Sequence, residues 1–240
     1  MKAMILAAGL GTRLKPWTDF HPKALAVVNG KSLLQRNIEY LRKFGIKDVV
    51  VNVHHFADQI TDAINNNNGW GSIIEISDER DEVLETGGGL VKASSFLKDE
   101  KAFVLMNVDI LTDVDLGQMI SYHQAHSPLA TLATSTRKSS RYLLFNGDDI
   151  LCGWRNVETM DEKKSRTYRK NKVEQRAFNG IHVIDPRLFS LVTQQGKFSM
   201  IDLYLSLMDE YVIKSYDVSL STFIDVGKPQ SLAAAAHIFS

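Results

Sequence analysis

Short apolar runs alternate with segments of helical periodicity through the first half of the chain. The apolar runs lie at 3–6, 49–53, 72–76, 103–106 and 129–134. Between the first two, residues 32–44 repeat apolar positions every three or four residues, as an amphipathic helix does. Strands and helices that alternate at this spacing are typical of an α/β sandwich around a mainly parallel sheet. The run at 3–6 has no polar position, which predicts a strand buried on both faces at the centre of that sheet.

Composition limits what such a chain can do. Its 240 residues allow one large domain or two small ones, and 44% hydrophobic and 23% charged residues are ordinary for a globular protein. The formal net charge is zero, so no overall field draws the chain to nucleic acid or to an anionic membrane. No run approaches the roughly 20 apolar residues of a membrane span, and the N-terminus lacks the pattern of a signal peptide. Because Cys152 is the only cysteine, no internal disulfide is possible, and we expect a cytoplasmic protein.

The loop after the first predicted strand combines small residues with positive charge. Residues 7–11 are Ala-Ala-Gly-Leu-Gly, and Arg13, Lys15 and Lys23 follow. Small side chains let a phosphate or a flat base approach backbone N–H groups, and cations are the natural partners of a polyphosphate. A short Gly-x-Gly is a weak signal by itself. The residues alone therefore leave a second interpretation open, a tight strand-to-helix turn with surface charges nearby.

Two further features occur where α/β sheets bind their ligands. Three consecutive glycines at 87–89 precede a helical stretch, which predicts close backbone approach at a helix N-terminus. Asp109 follows the run at 103–106, and open α/β sheets place ligands at the carboxyl ends of their strands. The alternatives are a flexible linker for the glycines and an ordinary turn cap for Asp109.

The second half of the chain has a different pattern. Residues 142–152 predict a β-hairpin that turns at Asn146-Gly147. The basic stretch at 161–176 contains a single aromatic residue, Tyr168, so we interpret it as a solvated loop rather than a nucleic-acid interface. Further strands are predicted at 176–184 and 211–218, with helices at 200–208 and at the alanine-rich end of the chain.

The opening stretch and three later segments together resemble one known family, the sugar-1-phosphate nucleotidylyltransferases. The opening signature is Leu6-Ala7-Ala8-Gly9-Leu10-Gly11-Thr12-Arg13-Leu14, with Pro16 and then Pro22-Lys23. The glycine run, Asn107-Val108-Asp109 and Ile224-Asp225-Val226-Gly227 come in the family's order and at its approximate spacing. The resemblance therefore covers nearly the whole chain.

The resemblance implies both a fold and a division of the chain. The fold is a Rossmann-like α/β/α sandwich of the nucleotide-diphospho-sugar transferase type, with a mainly parallel mixed sheet and a small inserted β-rich sugar-binding part. Residues 1–240 would form a single nucleotidyltransferase domain. Within it, residues 1–136 would be the nucleotide-binding core, 137–222 the sugar-binding part, and 223–240 a closing segment with a metal ligand and a helix.

The resemblance also assigns roles to individual residues. The family joins a nucleoside triphosphate to a sugar 1-phosphate and releases pyrophosphate, with Mg²⁺ as cofactor; the implied metal ligands are Asp109 and Asp225. The catalytic residues it implies are Arg13, Lys23 and Asp109. The implied nucleotide-binding residues are Leu6, Ala7, Ala8, Gly9, Gly11, Thr12, Arg13, Lys23, Thr86 and Gly87. The implied sugar-binding residues are Gly88, Gly89, Asn107, Asn179 and Gly180.

Substrate identity is less constrained than reaction type. The Leu-Glu-Thr-Gly-Gly-Gly form at 84–89 and the compact length resemble most closely the N-acetylmuramate-1-phosphate uridylyltransferases of peptidoglycan recycling, which implies UTP and N-acetylmuramate 1-phosphate. Mannose-1-phosphate or heptose-1-phosphate guanylyltransferases and phosphocholine cytidylyltransferases are alternatives; the last would need an aromatic cage, for which Trp17, Trp70 and Trp154 are the candidates. A nucleotide-sugar-binding regulator without catalysis is the non-enzyme alternative. A monomer or a homodimer is expected, with neither nucleic acid nor membrane as partner.

The chain departs from the family pattern at three places. Val108 stands where the family usually has glycine beside the metal-binding aspartate, and valine does not readily adopt positive φ. Val27 replaces a common proline, which we expect to be harmless. The Glu-Lys-Pro segment that carries a lysine for the sugar phosphate is missing between 171 and 179, so the second phosphate-binding cation is unassigned.

Overall fold

The secondary structure follows the alternation of apolar runs and helical patterns. The structure, a computed structural model, describes residues 1–166, 168–169 and 172–239. Within those residues the strands are β1 (Ala3–Leu6), β2 (Val27–Val28), β3 (Lys31–Ser32), β4 (Asp48–Val53), β5 (Ile73–Asp78), β6 (Phe103–Asn107), β7 (Ile110–Thr112), β8 (Ala130–Ser135), β9 (Arg141–Phe145), β10 (Leu151–Asn156), β11 (Glu162–Lys164), β12 (Glu174–Ile184), β13 (Ile213–Asp217) and β14 (Phe223–Asp225). The α-helices are α1 (Leu33–Lys43), α2 (Ala57–Asn66), α3 (Glu85–Lys92), α4 (Ser94–Leu97), α5 (Leu116–His126), α6 (Leu188–Leu191), α7 (Met200–Leu207) and α8 (Pro229–Ile238).

The main sheet is mixed and mostly parallel. Its strand order is β5-β4-β1-β6-β12-β8-β13, and β12 runs against the direction of the others. In the register of the centre, Leu6 lies opposite Asn52 of β4 and Asn107 of β6. The carboxyl ends of β1, β4 and β6 therefore meet at one edge of the sheet, which confirms the predicted arrangement around the first strand.

A smaller antiparallel sheet branches from the main one. The first residues of β12, 174–176, pair with β9, which continues into β10 and β11. This arrangement confirms the predicted hairpin at 142–152. The two parts of β12 are separated by a break in register between Phe178 and His182, where Gly180 has a φ of 74°. A bulge at this point suits glycine, because few other residues adopt that φ.

Helices cover both faces of the main sheet. Along β1, Ala3 and Ile5 point into one hydrophobic cluster, which contains residues of α1, α2, α5 and α8. Met4 and Leu6 point into a second cluster, with residues of α3, α4, α6 and α7. Because alternate side chains of a strand face opposite sides of the sheet, the apolar run of β1 is buried on both faces. The helices on the two faces and the sheet between them form a three-layer α/β/α sandwich.

Two expectations need correction, and one element was not predicted. The glycines at 87–89 lie inside α3 and do not precede it. The predicted loop at 161–176 contains β11 and the start of β12; its residues 167, 170 and 171 lie outside the described residues. The short antiparallel ribbon formed by β7 and β14 is not apparent from the sequence pattern. None of the helices in the described part of the chain has the length and apolar character that a membrane crossing requires.

Candidate active site

A cavity of about 340 Å³ opens at the carboxyl ends of the central strands. Open α/β sheets bind ligands at this edge. The residues that line it come from β1 and its loop, from β4, from the start of α3, from the end of β6 and from the segment before α7: Leu6, Ala8, Gly9, Lys23, Asn52, Val83, Glu85, Thr86, Asn107, Val108, Asp109 and Ser199. The fold therefore brings together the opening loop, Thr86 and Asp109, which are far apart in the sequence and were all predicted to belong to the site.

The opening loop is held in shape by its own contacts. Gly11 has a φ of 64°, and a Cβ at this position would lie 2.9 Å from Thr18 Cγ2 and 3.0 Å from Lys23 Cβ. The Thr18 hydroxyl donates to the Gly11 carbonyl at 3.0 Å. Only glycine accommodates both the backbone angle and the crowding. The tight turn places Arg13 and Lys23 on the side of the loop that faces the carboxylates.

Two cations and two carboxylates form a charge cluster at the cavity. Lys23 Nζ hydrogen-bonds to Asp109 Oδ2, and both side chains are largely buried, at 12% and 13% exposure. Arg13 Nη2 lies 3.9 Å from Asp109 Oδ2 and 3.7 Å from Asp225 Oδ2. The guanidinium is half exposed, so it is free to reorient toward an anionic ligand. Such a cluster suits a ligand that carries several phosphates and a divalent cation.

The ribbon of β7 and β14 positions Asp225. Asp225 pairs with Ile110, and the Val226 N–H donates to the Asp109 carbonyl at 2.8 Å. Within the described residues, the buried Oδ1 of Asp225 has no hydrogen-bond partner. A Cβ at Gly227 would overlap the Arg13 guanidinium and lie 2.6 Å from Asp225 Oδ1. An unsatisfied carboxylate oxygen beside Asp109 fits a metal ligand, because buried acceptors are otherwise paired.

A buried relay that the sequence reasoning missed anchors the opening loop. The Ala7 N–H donates to Asn52 Oδ1 at 2.7 Å, and Asn52 Nδ2 donates to Glu79 Oε1 at 2.7 Å. Glu79 is fully buried, and burial raises its pKa against the opposing effect of the Asn52 hydrogen bond. A Cβ at Gly89 would lie 2.7 Å from Glu79 Oε1, so this glycine makes room for the relay. The available signal was a single asparagine within the valine-rich run at 49–53.

The glycine run has a packing role. The N–H groups of Gly87 and Gly88 donate to the Phe198 carbonyl at 2.9 and 3.3 Å, so neither is free for a ligand. A Cβ at Gly88 would overlap the carbonyl of Gly196. Gly88 and Gly89 thus allow close packing of α3, and neither lines this cavity; the roles predicted for Gly87, Gly88 and Gly89 toward the nucleotide and the sugar stay predictions. Thr86 lines the cavity, and its hydroxyl accepts from the Met200 N–H at 2.9 Å.

Of the remaining predicted sugar-binding residues, only Asn107 lines this cavity. Gly180 lies beside it, since a Cβ at Gly180 would be 3.2 Å from Asn107 Nδ2 and 2.7 Å from Ile110 Cγ1. Asn179 is 1% exposed and lines a separate cavity. Val108 is buried, donates its N–H to Leu6 at 3.2 Å and has no positive φ, so the valine fits here without backbone strain.

The three tryptophans do not converge. Trp17 lies in an apolar cleft against Phe20 and Pro229. Trp70 packs against the cluster beneath α1, and Trp154 lies beside Tyr142 on the small sheet. The aromatic cage that would mark a phosphocholine site is thus not assembled from these residues.

Comparisons with known proteins cover the whole chain. A family model described as nucleotidyl transferase matches residues 2–239. The N-acetylmuramate alpha-1-phosphate uridylyltransferase of Caulobacter vibrioides is 30% identical over 98% of this chain and 96% of that protein. The UTP–glucose-1-phosphate uridylyltransferase of Synechocystis sp. is 28% identical over 95% of this chain and 60% of its own length. Mannose-1-phosphate guanyltransferase 2 of Candida glabrata is 25% identical over all of this chain and 64% of its own length. The chain thus spans less than two thirds of the last two relatives.

Solved structures show the same fold. HddC from Yersinia pseudotuberculosis, complexed with GMP-PN, matches with a TM-score of 0.77 at 22% identity, over 100% of this chain and 99% of that one. A UDP-glucose pyrophosphorylase complexed with UDP-glucose matches with a TM-score of 0.77 at 16% identity, over 99% and 97%. These matches confirm the predicted fold class, a sandwich of the nucleotide-diphospho-sugar transferase type.

Proposed function

The chain belongs to the nucleotidyl transferase family of sugar-1-phosphate nucleotidylyltransferases, and from this premise we propose that it transfers a nucleotidyl group from a nucleoside triphosphate to a sugar 1-phosphate, releasing pyrophosphate. One observation carries the proposal. Arg13 and Lys23 of the opening loop meet Asp109 and Asp225 at the carboxyl edge of the sheet, where a polyphosphate and a divalent cation would be held together. A nucleotide base and ribose fit the small residues of the same loop, Ala8 and Gly9, which line the cavity.

Asp109 and Asp225 are the residues that would hold a divalent cation, and we propose Mg²⁺. Two carboxylates near one guanidinium nitrogen, one of them with an unsatisfied oxygen, suit a hard cation that takes its other ligands from phosphate oxygens and water. Within the described residues, no group of three or more His, Cys, Asp or Glu side chains offers an all-protein metal site. When bound, such a cation neutralises phosphate charge and fixes the geometry of the transfer.

The chemistry needs positioning more than proton transfer. The acceptor is a phosphate oxyanion; one of its oxygens attacks the α-phosphorus as the bond to the pyrophosphate oxygen breaks. The nucleophile is already ionised, so no general base is required. The obstacle is repulsion between anions and the negative charge of the transition state. Lys23 would neutralise the approaching phosphates, and Arg13 would stabilise the charge on the α-phosphate and the leaving pyrophosphate.

For the substrates we propose UTP and N-acetylmuramate 1-phosphate. The Caulobacter vibrioides relative supports this choice, since it is matched over nearly its full length. The relatives from Synechocystis sp. and Candida glabrata keep glucose 1-phosphate with UTP and mannose 1-phosphate with a guanylyl donor as the competing pairs. The lone, buried Cys152 supports a reducing, cytoplasmic location. We also propose the division into residues 1–136, 137–222 and 223–240 as functional parts of one domain.

A matrix of substrates tests the proposal. UTP, GTP, CTP and dTTP are each incubated with Mg²⁺ and with the 1-phosphates of N-acetylmuramate, glucose, mannose and heptose, or with phosphocholine, and pyrophosphate is measured. We expect release only when both substrates are present, and fastest with UTP and N-acetylmuramate 1-phosphate. Nucleotide binding by calorimetry without release from any pair would contradict catalysis and favour a nucleotide-sugar-binding regulator.

A further inference from the structure

A second cavity, of about 260 Å³, lies at the same edge of the sheet. Its wall includes Arg137 just after β8, Asn179 on β12, Ser219 and Ser221 after β13, and Phe223 at the start of β14. β8 and β13 run parallel to each other and in the direction of β6. Their carboxyl ends therefore open on the side of the molecule that holds the nucleotide cavity.

Arg137 lines this cavity as a cation that has no ion-pair partner in the part of the chain that the structure describes. Its Nε donates to Asn179 Oδ1 at 3.1 Å, its Nη2 donates to the Phe178 carbonyl at 2.6 Å, and its guanidinium carbon lies 4.8 Å from the centre of the Phe223 ring. No ion pair within 4 Å that the described residues form includes Arg137. Burial lowers the pKa of Arg137 and Asp225 opposes that effect, but a guanidinium keeps its charge. A partly buried, unpaired charge is costly, and an anionic ligand would relieve that cost.

Asn179 supplies a second donor, for which the described residues offer no acceptor. Its Oδ1 accepts from Arg137 Nε and from the Ser135 hydroxyl at 3.0 Å, which fixes the orientation of the amide. Nδ2 is then a buried donor, and it has no partner within the described part of the chain. Buried donors are almost always satisfied, so this one also points to a missing acceptor.

The two cavities are neighbours through consecutive residues. Asn179 adjoins Gly180, which lies against Asn107 of the nucleotide cavity. Phe223 and Asp225 are two positions apart on β14 and so share one face of the strand. Asp217, the carboxylate at the end of β13, accepts from the Ser219 N–H at 2.9 Å and also from its hydroxyl. A ligand held at Arg137 is thus close enough to belong to a molecule that also reaches Asp225.

We propose that the Arg137 cavity binds an oxyanion, phosphate or carboxylate, of the acceptor sugar phosphate. The donors on its wall, a guanidinium and an amide N–H, suit a multiply charged or bidentate oxygen acceptor and not a cation. The assignment to the acceptor rests on the proposed function, because Arg13 and Lys23 already serve the triphosphate. The binding of an oxyanion does not depend on it.

Anion binding is tested directly by NMR on the full, ¹⁵N-labelled chain. Inorganic phosphate and, separately, lactate are added, and the Nε–H resonance of Arg137 and the side-chain amide of Asn179 are followed. At least one of the anions shifts both resonances to saturation, and Arg137→Met abolishes the response of Asn179 while Lys138→Met, on the neighbouring residue, keeps it. No saturable shift with either anion would overturn the proposal, whether or not the protein transfers nucleotides.

Kinetics then identify the group that Arg137 holds. N-acetylmuramate 1-phosphate carries a carboxylate beside its phosphate, whereas glucose 1-phosphate does not. Loss of a charge-assisted hydrogen bond predicts that Arg137→Met raises KM about tenfold or more, with little change in kcat, and that Arg137→Lys restores part of it. A rise for both sugar phosphates assigns the 1-phosphate, and a rise for the acidic sugar alone assigns its carboxylate. If KM for Arg137→Met equals that of Lys138→Met with both sugars, the proposal is wrong. A wild-type chain inactive with every pair contradicts the proposed function, and the NMR result still decides the inference.

Discussion

At the scale of single residues, the opening loop has one residue that supplies charge, Arg13, and another that leaves room in the cavity, Gly9. Arg13 is half exposed and makes long ion pairs to two carboxylates, whereas Gly9 lines the cavity and a Cβ added to it would meet no atom within 4 Å. Arg13 therefore contributes little to the stability of the fold. The small size of Gly9 leaves room for a ligand and is not required by protein packing. Both statements lead to substitutions that affect function without unfolding the chain.

Arg13→Met is expected to lower turnover about 10²–10³-fold, the usual effect of removing one donor that stabilises transition-state charge. Pyrophosphate release and thermal unfolding are measured together, with Lys15→Met as the matched control. Lys15 pairs with Asp19 at 2.8 Å on the surface, so its loss should change neither quantity greatly. A near-normal rate in Arg13→Met would remove the role assigned to this residue.

Gly9→Ala should leave the free energy of unfolding nearly unchanged, because the added methyl meets no protein atom within 4 Å. The same methyl intrudes on the ligand, so KM for the triphosphate should rise about tenfold or more. The two quantities are obtained from chemical denaturation and from initial rates. Destabilisation without a change in KM would show that the glycine serves the fold instead.

Glu79→Gln tests the relay through its pH dependence. Burial raises the pKa of Glu79 above its ordinary value of 4.5, so the folded chain holds a proton that the unfolded chain releases. Stability from this group is complete below about pH 4.5 and is lost as pH rises through the folded pKa. Glutamine cannot ionise, so the variant should gain stability relative to wild type across that window. Urea unfolding over the range, with Glu75→Gln on β5 as control, measures the gain; parallel curves for the two variants would contradict it.

At the scale of elements, the sequence predicted what hydrophobic periodicity encodes. The central strands and α1 appear where apolar runs and a helical repeat place them, because burial on two faces and amphipathicity leave clear patterns. The ribbon of β7 and β14 is short and lacks such a pattern, yet it carries Asp225 to the site. The relay from Ala7 through Asn52 depends on strand register, which one sequence does not reveal.

The glycine run in α3 shows tertiary packing overriding local preference. Glycine disfavours helix interiors, which made a loop the natural prediction for 87–89. The helix is retained because its glycines admit the segment at 196–198 against the backbone. Only the neighbouring element explains why these residues are helical.

Gly88→Ala should therefore destabilise the protein by about 1–3 kcal/mol, as overpacking does, despite the higher helix propensity of alanine. Gly147→Ala, in the hairpin turn between β9 and β10, is the matched control because a Cβ there meets nothing within 4 Å. Denaturant unfolding compares the two variants. A stabilised Gly88→Ala would show that propensity, and not packing, dominates in α3.

At the scale of the whole molecule, the site is assembled from both ends of the chain. The opening loop, the turn after β6 and the end of β14 meet at one charge cluster, and Asn29 Nδ2 donates to the Ala236 carbonyl of α8 at 2.7 Å. A ligand that bridges these segments binds only the folded chain and not the unfolded chain. Ligand binding should thus report on the integrity of the entire fold.

UTP with Mg²⁺ should raise Tm more than UTP alone or Mg²⁺ alone, since phosphate and carboxylate oxygens share the cation. A free ligand concentration of about 100 times Kd adds about 2.7 kcal/mol to the free energy of unfolding. Asp225→Asn should lose the part that depends on Mg²⁺, whereas Asp148→Asn, exposed in the hairpin turn, should keep it. If the gain with Mg²⁺ persists in Asp225→Asn, this carboxylate is not a metal ligand.

We propose that the cluster of Arg13, Lys23, Asp109 and Asp225 directs attack on the α-phosphorus. Phosphorus NMR of the wild-type reaction with UTP, Mg²⁺ and a sugar 1-phosphate follows every phosphate at once. We expect equal amounts of pyrophosphate and of a nucleoside-diphosphate sugar from the wild-type chain, and neither product from Asp109→Asn. Release of inorganic phosphate from the γ-position, or an unchanged triphosphate with every sugar phosphate when GTP, CTP and dTTP replace UTP in turn, would contradict it.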